Sequence, residues 1–115
     1  MSEHQVKQLQ RSIAAAKERI EQGKALERLQ KNKDFQKIIQ EGYLNSEAVR
    51  LVHLKGDDNM QSPEKQGHIT KRIDAIGCLA GFLSTVSYLA SNAERSLSDD
   101  EETLEHILKF PNEEE

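Results

Sequence analysis

The side chains that could do chemistry are few and scattered. Histidines stand at His4, His53, His68 and His106, and the single cysteine is Cys78. A zinc site needs three or four converging ligands. No histidine lies four residues from another or from Cys78, so no helical turn presents a ligand pair. His53 beside Leu54 reads as a boundary residue on an amphipathic helix. A nucleophilic Cys78 would need a base or cation to lower its pKa, and its sequence neighbours are apolar, so a buried inert thiol is expected. One cysteine also excludes an intrachain disulfide and a Cys-based zinc or iron–sulfur site within one chain. Asp57, Asp58 and Asn59 lack the alternating acids, central glycine and distal glutamate of a calcium loop. No nucleophile elbow, phosphate loop, dinucleotide fingerprint or carboxylate pair is present. The expectation is a non-enzyme with no catalytic residue, no metal and no cofactor.

Two stretches could bind rather than react. Residues 75–93 carry no charge over 19 positions, which is long enough to span a bilayer. Gly77 and Gly81 within them have the spacing of close-packed membrane helix pairs. Ser84, Thr85, Ser87, Ser91 and Asn92 dilute the run, and no flanking tryptophan anchors it. A buried core helix is the preferred reading, with another helix backbone close against the two glycines. The first 31 residues hold seven Lys/Arg against four Asp/Glu. Their basic residues do not share one face and the sequence pI is about 5.6, so nucleic acid is a disfavoured partner. The charge then drifts acidic. Residues 32–93 balance at seven against seven, and residues 94–115 hold two against nine. Such a chain can associate head to tail or in antiparallel pairs.

Composition limits what can position these groups. The chain has 115 residues, 36% hydrophobic and 31% charged, with no tryptophan. That suits long amphipathic helices that complete their burial against a partner. Val6, Leu9, Ile13, Ala16 and Ile20 step by three and four, the stripe of a helical seam. They predict one helix over 3–30, roughly 42 Å long, with a register slip at Gly23. Asn32 or Asp34 is expected to cap a short helix carrying Phe35, Ile38 and Ile39. Gly42 is expected to stop it in a left-handed conformation. Asn45 would then cap a second short helix, with Leu44 and Val49 as its hydrophobic staple and Val49, Leu51 and Val52 facing inward. Gly56 ends that helix and 56–62 is a loop. Ser62–Pro63 opens a long helix to about residue 97. Ser98 and Glu101 fit a capping box for a last short acidic helix carrying Leu104, Ile107 and Leu108, unless the long helix simply continues. Pro111 ends it.

The run LQKNKDFQKIIQEGYLNSEAVRLVHLKGD, followed by KRIDAIGCLAGFL, resembles a family of small helical proteins encoded by tailed bacteriophages. Asp34, Phe35, Ile38, Ile39, Gly42 and Tyr43 carry the first motif. Glu47, Ala48, Arg50 and Leu51 carry the second, and Ala75, Ile76 and Gly77 the third. The resemblance covers about two-thirds of the chain. Residues 78–93 depart from it in being less charged. Such proteins are of unknown function or belong to the virion-structure and assembly genes, so the resemblance implies an interaction role rather than an enzyme.

The reading is therefore an all-α fold. Two long antiparallel helices hold a short-helix pair between them, and a short acidic helix closes the chain. Residues 1–112 form a single helical domain and 113–115 a disordered acidic tail. Val6, Leu9, Ile13 and Ile20 are the interaction candidates on the first helix. Phe35, Tyr43 and Leu44 would fix the hub, and Gly77, Gly81, Phe82 and Val86 would supply contacts on the long second helix. The expected function is a phage capsid-, portal- or core-associated component or scaffold. Its expected partners are further copies or other virion proteins. Residues 1–31 show no secretion signal, so the place expected is the host cytoplasm during assembly, or the virion. The alternatives are a soluble regulator binding a host protein or nucleic acid, and a holin-like membrane protein using 75–93.

Overall fold

The structure is a computed structural model that describes residues 3–110. The described residues are almost wholly helical and contain no strand. The all-α class therefore holds. The expected acidic tail at 113–115 and the helix stop at Pro111 lie outside the described residues.

Helix α1 runs Glu3–Lys31. Its buried residues are Ile13, Ala16, Gly23 and Leu26. The stripe reaches Gly23 and moves to Leu26, the expected shift, but does not extend to Leu29, which is 44% exposed. The Leu29 carbonyl accepts from the Asn32 N–H at 3.0 Å, and α1 ends. Asn32 also opens the next helix. Its side-chain oxygen accepts from the Asp34 and Phe35 amides at 2.9 and 3.0 Å. Both donors are first-turn amides with no intrahelical partner, so the expected cap is present. Asn32→Ala should lower stability by about 1 kcal/mol, while Asn32→Asp should keep most of it. Urea unfolding of the three proteins would show this, and an alanine variant as stable as the parent would remove the cap from the account.

The expected pair of separate short helices does not form. Helix α2, Lys33–Phe35, passes without a break into a π-helical segment, Gln36–Glu47, and that into α3, Ala48–Lys55. Gly42 is not a left-handed stop, since no described residue has a positive φ. A Cβ there would lie 3.1 Å from the Lys37 carbonyl oxygen. That oxygen is five residues back, the step of a π turn, so the glycine fits a wide turn instead of ending a helix. Asn45 lies inside this segment and caps nothing. The staple fails as well. Leu44 is half-buried, but Val49 and Val52 are 50% and 59% exposed. Only Leu51 of the three expected inward residues is buried, at 1% exposure. The wide segment changes which residues face the core, and period-3.6 reasoning misses the change.

Gly56 closes α3 with φ −87°, an ordinary right-handed value. A 3-10 turn at Asp58–Met60 is capped by the Asp57 carboxylate, which accepts from the Asn59 amide at 2.8 Å. Gln61 and Gln66 both donate to the Lys55 carbonyl at 2.9 Å, and Gln66 also reaches the Met60 carbonyl at 2.8 Å. These side chains satisfy the carbonyls that the end of α3 leaves open.

Helix α4 then runs Pro63–Lys109. Ser62 sits at its start as expected, its hydroxyl oxygen accepting from the Lys65 amide at 3.3 Å. The separate acidic helix is not formed, and α4 continues through Ser98. No glycine or proline stands between Gly81 and Pro111 to interrupt it. Asp100, expected in the cap, instead accepts a hydrogen bond from the Ser12 hydroxyl at 2.7 Å.

The chain divides into two compact units. One takes Met1–Leu26 with Val86–Glu115. Its buried residues are small or β-branched: Ile13, Ala16 and Gly23 from α1, and Ala90, Ala93 and Ile107 from α4, with Leu26 beside them. Ser12 meets Asp100 and Gly23 meets Ala90, so these contacts run in reverse order along the chain. The other unit is Glu27–Thr85. Its core is Leu51, Ile69 and Ile76, flanked by Tyr43, Leu44, Ala48, Leu54, Met60 and Ile73.

Candidate protein-interaction surface

Helix α4 carries the uncharged stretch 75–93, and most of it is not covered. An 18-residue window of α4 is long and apolar enough to cross a membrane, yet 11% of it is buried. The expected buried core helix is therefore corrected. Ile76 does reach the core at 6% exposure, as does Ala90 at 8%. Phe82 and Tyr88 stand 62% and 66% exposed. Gly77, Cys78 and Gly81 are exposed too. A Cβ on either glycine would meet nothing within 4 Å. Among the described residues no backbone makes the close approach expected there. Gly23, which the GxxxG spacing does not single out, makes it against Ala90. Cys78 is likewise an exposed thiol rather than a buried one.

The other candidates fall into the two units. Ile13 is buried, and Val6, Leu9, Ile20 and Val86 are half-buried. Those five belong to the unit formed by the ends of the chain. In the other unit Phe35, Tyr43 and Leu44 are half-buried, and Tyr43 and Leu44 pack on the core cluster. Gly77 and Gly81 stand four residues apart on α4, which places them on one helical face. Phe82 follows Gly81 in sequence but stands about 100° further round the helix, off that face.

A second feature lies outside the expectations. The start of α4 and the end of α3 enclose a groove of about 860 Å³. Leu54, Met60 and Pro63 line it with apolar surface, and Lys65, His68, Lys71 and Arg72 stand around it with Glu64 as the one carboxylate. The only signal in the sequence is the cationic spacing in PEKQGHITKR, which is hard to separate from ordinary solvated charge.

Beside it Glu47 pairs with Arg50 through hydrogen bonds and lies 3.7 Å from Arg72. The Arg50 hydrogen bond holds the Glu47 carboxyl below its usual value, with smaller help from the charges of Arg50 and Arg72 against desolvation. The same bond raises Arg50. Glu47 thus contributes stability that is present above its unfolded pKa and is lost as pH falls through its folded value. The pair is solvent-exposed, so its contribution is small.

Among the described residues no three His, Cys, Asp or Glu side chains converge on a point that could hold a metal ion. Comparisons with protein-family models, with curated proteins and with solved structures return no match for this chain.

Proposed function

We propose that this chain is a non-enzymatic helical assembly protein that acts through helix-mediated protein–protein contacts. Its proposed setting is that of a phage structural or assembly protein: a capsid-, portal- or core-associated component or a scaffold, working in the host cytoplasm or the virion. The observation that carries the assembly reading is the exposed uncharged face of α4. Exposed apolar surface marks interaction sites, and an aromatic side chain such as Phe82, 62% exposed, is a favoured anchor. In this reading α1 and α4 are antiparallel partners, the sense supported by the Ser12–Asp100 and Gly23–Ala90 contacts. The partners are further copies of the chain or other virion proteins.

Phe82→Asp tests the reading. The side chain is 62% exposed, so its loss should change the fold's stability by no more than about 0.5 kcal/mol. Placing a charge at the centre of an interface should weaken association by at least about tenfold. Light scattering over a concentration series reads the association, and circular dichroism reads the fold. Unchanged molar mass in the variant would remove this face from the account.

The same stretch supports a second reading, a holin-like membrane protein, because it is uncharged, long enough and mostly unburied. Carbonate extraction of membranes separates the two. Protein retained in the pellet favours the bilayer, and protein released to the supernatant favours assembly.

A further inference from the structure

We infer that the groove at the start of α4 receives residues Phe110–Glu115 of a second copy, so that copies associate head to tail. The inference rests on the assembly reading and names its partner. The groove and the segment complement each other in two respects. The segment reads Phe-Pro-Asn-Glu-Glu-Glu, one aromatic followed by three carboxylates. The groove has apolar walls from Leu54, Met60 and Pro63 and cations at Lys65, Lys71 and Arg72.

The walls suit the ring. Leu54 and Met60 are half-buried, and the position in front of Gly67 is open, with nothing within 4 Å of a Cβ built there. A volume of about 860 Å³ exceeds what one phenyl ring fills. The cations suit the carboxylates. Lys65 Nζ donates to the Asn59 carbonyl at 3.2 Å, and Arg72 is held 3.7 Å from Glu47. Both charges are therefore positioned before anything binds, which lowers the entropy cost of pairing. Arg72 in particular can fork toward a carboxylate.

The occupant is placed on a second copy in keeping with the assembly reading on which the inference rests, and Phe110, which leads the segment, presents its ring to solvent. Its ring centroid lies 5.1 Å from that of His106, Lys109 Nζ sits 5.8 Å from it, and the residue is still 46% exposed. A segment of one copy in the groove of the next is a heterologous contact, which grows into rings or open chains.

The test uses the full chain and a labelled synthetic Phe-Pro-Asn-Glu-Glu-Glu peptide. Fluorescence anisotropy should show the peptide binding the parent protein and losing about tenfold or more in affinity to a Lys65→Glu, Lys71→Glu variant. Binding should also weaken as salt rises, since exposed charge pairs are screened. Light scattering should show association of the full chain falling on Glu113→Gln, Glu114→Gln, Glu115→Gln substitution. It should return when the charge-reversed groove is mixed with a chain whose three glutamates are lysines. Circular dichroism confirms that each variant keeps its helices. Equal peptide affinity for parent and groove variant, or no peptide binding at all, overturns the docking. Association that ignores the glutamates but is lost in Phe82→Asp also overturns it and leaves the α4 reading standing. Association that needs the glutamates but ignores Phe82→Asp supports the docking and sinks the α4 face.

Discussion

Leu51→Ala should destabilise the Glu27–Thr85 unit by about 2–5 kcal/mol, one of the largest losses available from a single side chain in this protein. Leu51 is the most completely buried side chain, at 1% exposure. It packs with Ile69 and Ile76, and Tyr43, Leu44 and Met60 are among its cluster's flanking residues. Truncation removes apolar contacts from all sides and leaves a void that helical walls fill only partly. A domain of this size has about 5–15 kcal/mol of net stability, so the loss is a large share of the total. Val49 and Val52 are the internal controls. They flank Leu51 on the same helix but are 50% and 59% exposed. Their alanine variants should stay within about 0.5 kcal/mol of the parent. Guanidinium unfolding gives the free energies. Hydrogen exchange shows where they act, because the amides of Glu27–Thr85 should lose protection as a cooperative group. A Leu51→Ala loss below about 1 kcal/mol, or one matched by Val49→Ala, would mean that the cluster is not the core of this unit.

Some parts of this structure are legible in the sequence and others are not, and the division tracks the range of the interaction. Asn32 and Ser62–Pro63 are readable because capping is local: a side-chain oxygen meets an amide two or three residues on. The α1 stripe is readable because helix burial repeats every three or four residues. Gly42 misleads because its common use is to end helices, whereas here it fits a π segment whose Tyr43 and Leu44 pack on the cluster that holds Leu51. The capping box at Ser98 misleads for a related reason. A cap motif permits a helix start but does not force one, and with no breaker nearby α4 continues. The groove leaves little trace beyond the cationic spacing at the start of α4, because its walls come from two helices, α3 and α4, that only the fold brings together. Gly77 and Gly81 stand out for their spacing, and Gly23 does not. Spacing names a pair of small residues but does not say which small residue meets another helix.

That last difference makes glycine substitution a sharp test. Gly23→Ala should destabilise the protein, while Gly77→Ala and Gly81→Ala should stabilise the folded chain by about 0.5–1 kcal/mol each. All three glycines lie inside long helices, where alanine is intrinsically better by about 1 kcal/mol. Only the surroundings differ. A Cβ on Gly23 would overlap the Ala90 Cβ, and the Ala90 Cα lies 3.9 Å from the same point. Ala90 cannot turn aside, because its Cβ is fixed to the α4 backbone. The helices must part, at about 1–3 kcal/mol for overpacking, and the separation loosens neighbours such as Ala16 and Ala93, which are buried in the same unit. Gly23→Leu should be worse still. Ala90→Gly supplies the decisive control. In the Gly23→Ala background it removes the atom that clashes, so the double variant should recover most of the loss even though glycine weakens α4. Chemical denaturation of the four proteins gives the coupling energy, expected at about 0.5–3 kcal/mol for residues in direct contact. Additive effects, or a stabilising Gly23→Ala, would mean that α1 and α4 do not meet at this pair. The exposed glycines carry the converse argument. If Gly77→Ala and Gly81→Ala raise the unfolding free energy yet lower the association measured by light scattering, then the open side of α4 is kept small for a partner's approach. If they raise both, the partner does not come that close, and the aromatic Phe82 rather than the glycine face is what α4 presents.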